Sequence, residues 1–174
     1  MITLMSLIGR SFLHASDLHL GFPLGELKDC DQLSDEDLKF IVKEMQGAFD
    51  NLIQVAIDNN VLFVVLAGDI YDNLDSQDAL QADFRNGLLK LEEHGIGAYI
   101  IHGNHDPSLK GYKPRRELPA TVKVFGTAEP HEFIAAQTDE GMVSVAGISF
   151  GSNAVTENLT VGFRNLPREN AKWR

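Results

Sequence analysis

The apolar run VLFVVLA at residues 61–67 constrains the fold more than any other part of the sequence. It is rich in β-branched residues, has the length of one strand, and ends abruptly at Gly68 and Asp69. A strand that is apolar at every position is typical of a parallel sheet with both faces covered, whereas a half-exposed strand alternates apolar and polar residues. The run therefore predicts an inner strand of an α/β protein.

Helical patterns lie on both sides of this strand. Ser34 followed by Asp37 is a signal for a helix start, and apolar residues then recur at helical spacing as far as Ala56. A second helical pattern begins near Ser76 and closes at Gly95, where a left-handed cap is expected. The chain thus alternates strands with helices that are long enough to cross a sheet.

Two further strands complete the alternation, RSFLHAS at residues 10–16 and AYIIHG at residues 98–103. Strand, helix, strand, helix, strand is typical of a parallel sheet with right-handed crossovers. The loops that follow its strands share the carboxyl edge, where ligands of open α/β sheets bind. Residues 107–120 then predict a loop, and the later pieces VKVFG, HEFIAA and MVSVAGISFG predict a second, more antiparallel sheet.

Polar side chains that can bind metal ions follow the ends of the three parallel strands. They are Asp17, His19, Asp69, Asp72, Asn104, His105 and Asp106. This mixture of carboxylate, imidazole and amide donors suits manganese, iron or zinc better than calcium or magnesium. Two carboxylates, one able to bridge, indicate a pair of ions, and two ions about 3.5–4 Å apart are suited to displacement at phosphorus.

Each of these short motifs is weak when it stands alone. An isolated Asp-x-His occurs by chance, and a Gly-Asp pair after a strand is usually a turn. The prediction of a metal site comes from the combination, because three polar loops follow three strands of one sheet in order. We expect these loops to gather around a common cation pocket that hydrolyses phosphate esters.

The same three loops resemble the first three motifs of the calcineurin-like metallophosphoesterases: D-x-H at residues 17–19, G-D-x-x-D at 68–72 and G-N-H-D at 103–106. Within that superfamily, LHASDLHLG, GDIYD and IHGNHDP are most similar to the SbcD-type DNA repair exonucleases, and the similarity runs from about Ser11 to Gly151. The resemblance implies an α/β fold, a four-layer αββα sandwich over residues 10–174. Later family motifs supply further histidines, including a G-H-x-H turn, and no glycine of this sequence is followed by histidine, so the sandwich is expected to be incomplete at the C-terminus.

The resemblance also implies a set of metal ligands. Asp17 and His19 would bind the first ion, Asp69 would bridge both ions, and Asn104 would bind the second. The cofactors expected are two divalent metal ions, with manganese as the first choice and iron or zinc as alternatives.

Two residues are implied in catalysis. His105 would stand beside the leaving-group oxygen as the general acid, because imidazole holds or releases a proton near neutral pH. Asp72 would orient that imidazole through its carboxylate.

The remaining histidines are His14, His94, His102 and His131, and a structural role is expected for each. His131 is the one that we consider as a substitute metal ligand. Cys30, the single cysteine, cannot form a disulfide within the chain and fits a reducing compartment. The start of the sequence is a poor secretion signal and no apolar run is long enough to span a bilayer, so a cytoplasmic protein is expected.

Three functions remain open. The first is a manganese-dependent DNA repair exonuclease, for which the resemblance implies DNA, a coiled-coil SbcC-like ATPase and a second copy of the chain as partners. The second is a phosphatase or nucleotide phosphodiesterase of the same superfamily. The third is a truncated, non-catalytic fragment or binding module.

Charge bears on the choice between these functions. The formal net charge is −10, and the first 87 residues carry 15 acidic and 5 basic side chains. Such acidity argues against a protein that coats DNA through its overall charge. The basic loop at residues 110–116 is a candidate for contact with a nucleic acid backbone, although loops of this kind are more often merely solvated.

Overall fold

The computed structural model of the protein describes residues 2–7, 10–21, 33–72, 78–108, 116–166 and 171–173. In chain order the elements are β1 Ile2–Leu7, β2 Arg10–Ala15, α1 Asp35–Asp58, β3 Phe63–Ala67, α2 Asp78–Glu93, β4 Gly97–Ile101, β5 Val122–Val124, β6 His131–Thr138, β7 Gly141–Gly147, the 3₁₀ helix Leu159–Asn165 and β8 Ala171–Trp173. Cys30 and most of the predicted basic loop, residues 110–115, lie outside the described residues.

The first sheet has five strands in the order β1-β2-β3-β4-β5. Strands β2 to β5 are parallel, which confirms the parallel sheet predicted from the alternation of strands and helices. The prediction for VKVFG was wrong, since Val122 pairs with Ala98 and places β5 in the first sheet. Strand β1 was not predicted either, and it pairs antiparallel with β2 from Ile2 opposite Ala15 to Leu7 opposite Arg10.

Both helices cover one face of this sheet. Alternate residues of β2, β3 and β4 face the helices, and together with helix residues they form the larger core: Leu13, Ala15, Val64, Leu66, Ala98 and Ile100 from the strands, and Phe49, Leu52, Ile53, Ala56, Phe84, Leu88 and Leu91 from the helices. Because successive strand residues point to opposite faces, the intervening apolar residues are left for a second core on the other side.

The start of α1 is the one that the sequence predicted. The Ser34 side chain accepts a hydrogen bond from the Asp37 backbone, and the Asp37 carboxylate accepts one from the Ser34 backbone. The Ser34 hydroxyl also donates to the Asp37 carboxylate, and this bond, together with the one from the Ser34 backbone, lowers the pKa of Asp37. At the end of α2, Gly95 has the expected left-handed backbone, and His94 Nδ1 lies 2.8 Å from the Lys90 carbonyl oxygen.

The second sheet packs against the other face. Its strand order is β6-β7-β8, with β6 and β7 antiparallel and β7 and β8 parallel. The second core contains Phe63 and Tyr99 from the first sheet with Phe125 and Val143. Burial raises the pKa of Tyr99, whose hydroxyl donates to the Ile134 carbonyl oxygen at 3.1 Å.

The layers are therefore helices, first sheet and second sheet, which confirms the predicted α/β fold class. Of the four layers expected, the outer helices over the second sheet are not seen in residues 116–166 and 171–173, where a 3₁₀ helix follows β7. Within the described ranges no helix combines the length and the apolar composition that crossing a membrane requires.

Gly87 of α2 lies close against α1. A Cβ atom placed there would lie 2.4 Å from Phe49 Cε1 and 3.1 Å from Ile53 Cγ1, and Phe49 already packs on Phe84 with ring centroids 5.1 Å apart. By contrast, a Cβ atom on Gly47 of α1 meets nothing within 4 Å.

Gly87→Ala should therefore lower the free energy of unfolding by about 1–3 kcal/mol, because overpacking outweighs the gain in helix propensity of about 1 kcal/mol. Gly47→Ala is the matched control and should raise it by about 0.5–1 kcal/mol, since only propensity acts there. Urea denaturation followed by circular dichroism measures both. Equal stability of the two variants would contradict the assigned helix contact.

Candidate metal centre

The loops after β2 and β3 run side by side beyond the ends of their strands. The His19 amide donates to the Asp69 carbonyl oxygen at 3.0 Å, and the Leu20 amide donates to the Ile70 carbonyl oxygen at 2.9 Å. Leu20 and Tyr71 form a further parallel bridge. The backbone ladder of the sheet thus continues into the two loops and places the D-x-H and G-D-x-x-D motifs next to each other.

The backbone is left-handed at three of the predicted metal ligands. The φ angle is 57° at Asp17, 44° at His19 and 50° at Asp69, and Asn60 is the only other non-glycine residue of the described chain with positive φ. This conformation costs a non-glycine residue about 1–2 kcal/mol. Backbone strain of this kind clusters at functional sites, where surrounding contacts enforce it.

The loop after β4 packs against the loop after β3, and a glycine in each loop allows the close approach. A Cβ atom on Gly68 would lie 3.2 Å from the Gly103 Cα atom, and one on Gly103 would lie 2.1 Å from Asp69 Oδ1. The His105 amide donates to Asp69 Oδ1 at 3.1 Å. The Asp69 carboxylate therefore rests directly on the backbone of the G-N-H-D turn.

Asp106 connects the loops after β3 and β4 through hydrogen bonds to its carboxylate. Its side chain is almost fully buried, at 2% exposure. Its carboxylate accepts from the Ile70 amide at 3.0 Å and from the Gly103 amide at 2.9 Å, and His102 Nδ1 lies 3.1 Å away. Asp106, which we expected only as one of the polar residues at this edge, thus has a structural role here, and His102 is its partner.

The segment that follows β7 supports this turn through Ser149. The Ser149 hydroxyl accepts from the His102 amide at 3.0 Å and donates to the Phe125 carbonyl oxygen at 2.6 Å. The Phe150 amide also donates to the His102 carbonyl oxygen at 3.0 Å. Sequence reasoning missed both Asp106 and Ser149 as supports, although the i, i+4 spacing of His102 and Asp106 offered a signal for the first.

Two groups of side chains at this edge have the spacing of metal ligands. One is Asp17, His19 and Asp69, the other is His19, Asp72 and His105, and within each group the ligand atoms lie within 4.8 Å of one another. Nitrogen and oxygen ligands lie about 2.0–2.2 Å from a divalent ion, so donors that are this close to one another could hold one. The donor chemistry and the spacing both fit divalent metal.

Asn104 is exposed between Gly103 and His105, whose backbones both contact Asp69. The predicted ligands Asp17, His19 and Asp69 are therefore brought together, and Asn104 lies in the turn beside them. Its assignment as a ligand of the second ion stays a prediction.

The two predicted catalytic residues also lie together. His105 Nδ1 is 3.3 Å from the backbone oxygen of Asp72 and 3.8 Å from its Oδ1 atom. The Asp72 Oδ1 atom is closer to His19 Nδ1, at 3.1 Å. The rings of His19 and His105 meet edge to face with centroids 4.9 Å apart.

His131 and His14 lie outside the candidate groups. His131 opens β6, and its ring packs on Phe133 with centroids 4.6 Å apart, outside both candidate groups. His14 lies within β2 opposite Thr3. Neither is among the donors that the described chain brings to the edge.

Residues 10–170 match the calcineurin-like phosphoesterase family, and the chain belongs to that family. Its members are hydrolases of phosphate esters that bind divalent metals.

Among curated proteins, the chain is similar to the uncharacterized metallophosphoesterase YhaO of Bacillus subtilis, with 30% identity over 88% of this chain and 37% of that protein. It is also similar to the DNA double-strand break repair protein Mre11 of Thermoplasma acidophilum, with 26% identity over 88% of this chain and 41% of that protein. The chain spans about two fifths of the length of these relatives. Among solved structures it matches the nuclease MPE of Pseudomonas putida with a TM-score of 0.40 and 14% identity, over 71% of this chain and 58% of that one.

Gly103→Ala should damage the centre, because the new methyl group would overlap the Asp69 carboxylate and amide. We expect the free energy of unfolding to fall by about 1–3 kcal/mol, and Mn²⁺ affinity measured by calorimetry to fall with it. Gly126→Ala is the control, since a Cβ atom there meets nothing within 4 Å. Unchanged Mn²⁺ affinity in Gly103→Ala would refute the close packing of Asp69 on the turn.

Asp106→Asn should destabilise the protein by about 2–4 kcal/mol, because an amide nitrogen would replace one of the two carboxylate oxygens that accept from the Ile70 and Gly103 amides. Asp50→Asn removes the same charge from an exposed pair with Lys90, 3.4 Å apart, and should change stability by less than about 1 kcal/mol. Chemical denaturation compares the two. The structural role of Asp106 is wrong if both variants unfold at the same urea concentration.

Proposed function

We propose that this chain carries the metal-binding edge of a phosphodiesterase that cleaves DNA ends, as its SbcD-type motifs imply; its Mre11 relatives are named as DNA double-strand break repair proteins. The observation that carries the proposal is the gathering of Asp17, His19 and Asp69 within 4.8 Å, with His105 beside them. Membership of a phosphoesterase family supports the reaction, and the relatives described as DNA repair proteins support the substrate.

In the proposed reaction Asp17, His19, Asp69 and Asn104 would hold two divalent ions, with manganese as the first choice and iron or zinc as alternatives. When bound, such a pair of ions activates a water molecule and neutralises charge on the phosphate oxygens. The protein's own contribution is to fix these donors at one edge by backbone hydrogen bonds.

His105 is the proposed general acid. Its side chain is 45% exposed, so a leaving-group oxygen can approach it, and its other ring nitrogen remains available when Nδ1 faces the Asp72 carbonyl oxygen. Donation of a proton to the leaving oxygen as the phosphorus–oxygen bond breaks contributes typically about 10²–10⁴-fold to the rate. Asp72 orients the ring through its backbone carbonyl, 3.3 Å from Nδ1.

The partners and the compartment belong to the same proposal. A coiled-coil ATPase of the SbcC type, a second copy of this chain and a cytoplasmic location are what the SbcD-type resemblance implies.

A second candidate is a phosphatase or nucleotide phosphodiesterase with the same site. The net charge of −10 favours a small substrate, since an acidic surface repels a long nucleic acid backbone. The two candidates share the metal ligands and differ in the phosphate ester that reaches them.

The test uses the protein as its gene encodes it, incubated with Mn²⁺ and end-labelled linear duplex DNA. We expect release of nucleotides from the ends, and a fall of about 10²–10⁴-fold in His105→Ala without loss of Mn²⁺ binding. His131→Ala, in an exposed histidine outside the candidate groups, is the control and should cleave normally.

A phosphomonoester and bis(p-nitrophenyl) phosphate are assayed in parallel. Cleavage of either compound with intact DNA would favour the second candidate. Absence of cleavage of every ester with Mn²⁺, Fe²⁺ or Zn²⁺ would overturn the proposed hydrolase.

A further inference from the structure

The carboxylate of Asp72 is closer to His19 than to the histidine that it was expected to orient. Oδ1 lies 3.1 Å from His19 Nδ1, which is hydrogen-bond distance, and 3.8 Å from His105 Nδ1, which is not. The Asp72 side chain is only 15% exposed, so solvent competes weakly for the contact with His19.

The backbone holds Asp72 in this position. Its amide donates to the Leu20 carbonyl oxygen at 3.2 Å, and Leu20 directly follows His19. The His19 amide in turn donates to the Asp69 carbonyl oxygen. Two backbone hydrogen bonds therefore fix the distance between the loop that carries Asp72 and the loop that carries His19.

The contact decides which nitrogen of His19 carries hydrogen. An ionised carboxylate can only accept a hydrogen bond, so the imidazole nitrogen that faces it must be the donor. Nδ1 of His19 then bears hydrogen, and Nε2 keeps the lone pair that metal coordination uses. Carboxylates that fix a ligand histidine in this way typically strengthen metal binding about 10–100-fold.

His105 has a different partner on the same residue. Its Nδ1 atom is 3.3 Å from the Asp72 backbone oxygen, a contact that does not depend on the identity of the side chain. The carbonyl and the carboxylate of Asp72 thus face two different imidazoles.

We propose that the carboxylate of Asp72 is a positioning group for His19, which it holds as the Nδ1–H tautomer ready to bind metal through Nε2, and that only the Asp72 backbone carbonyl serves His105. The inference deepens the proposed function, on which the metal-binding role of His19 rests. It separates the effects of two neighbouring residues, because Asp72 then acts on metal affinity and His105 acts on turnover.

The first experiment needs no metal and no substrate. Nitrogen-15 NMR of the imidazoles in this chain at pH 8 reports which nitrogen of His19 bears hydrogen. We expect the Nδ1–H tautomer in the wild type and a shift toward the Nε2–H form in Asp72→Ala. Asp72→Asn retains an acceptor oxygen and should keep most of the Nδ1–H form. An Nε2–H tautomer in the wild type, or an unchanged tautomer in Asp72→Ala, would overturn the proposal.

The second experiment measures Mn²⁺ affinity by calorimetry in the same chain. Asp72→Ala should bind about 10–100-fold more weakly than wild type, and Asp72→Asn should be weakened less. The control Asp50→Ala removes an equal charge from an exposed helix position and should bind normally. Unchanged affinity in Asp72→Ala would assign the carboxylate to His105 instead and refute the inference.

Failure of the inference is distinguishable from failure of the proposed function. If the wild-type chain binds no Mn²⁺, Fe²⁺ or Zn²⁺, the metal-binding role of His19 fails, while the tautomer measurement still decides whether Asp72 holds that ring. If metal binds normally and the tautomer does not respond to Asp72→Ala, only the inference fails.

Discussion

The candidate site depends most on the hydrogen bonds that the buried carboxylate of Asp106 accepts. This carboxylate accepts hydrogen bonds from the amides of Ile70 and Gly103, which belong to the loops after two adjacent strands. An unpaired charge at 2% exposure would be costly, so the protein conformation that satisfies it is strongly favoured. Because Ile70 follows Asp69 and Gly103 precedes Asn104, satisfying this one carboxylate also fixes the two residues that are proposed to contact metal.

The strained backbone of the site is maintained by the same kind of support. Asp17, His19 and Asp69 adopt left-handed conformations that a chain of L-residues avoids. The amide of Asp17 donates to the Gly68 carbonyl oxygen and that of His19 to Asp69, so two of the unfavourable conformations are each held by a hydrogen bond between loops. The strain directs three ligand-type side chains toward one place, and the regular sheet beneath the loops supplies the stability that offsets it.

Much of this arrangement follows from the sequence because it depends on local patterns. The apolar run of β3, the Ser34 and Asp37 cap and the order of the polar loops are each readable over a few residues, and the carboxyl-edge rule then brings the loops together. Strand β1 could not be predicted, since its six residues gain stability only by pairing with β2. The partner of the Asp72 carboxylate could not be predicted either. Its Oδ1 atom is 3.1 Å from His19 Nδ1 and 3.8 Å from His105 Nδ1, and this difference depends on how two loops pack rather than on the spacing of residues in the sequence.

The charges at this edge explain why its occupant should be a cation. Asp17 and Asp69 bring two carboxylate oxygens within 4.8 Å of each other, and in the described ion pairs Asp72 has only imidazole partners. Two like charges 4 Å apart repel by about 4 kcal/mol at the effective dielectric constant of about 20 found near protein surfaces. Because the supporting bonds of Asp106 and Ser149 are made within the protein, a bound cation would relieve this repulsion without having to create the fold. Metal binding would then add to the stability of a scaffold whose donors are already close together. Because the scaffold folds through other bonds, loss of a ligand carboxylate should lower the metal affinity more than it lowers the free energy of unfolding.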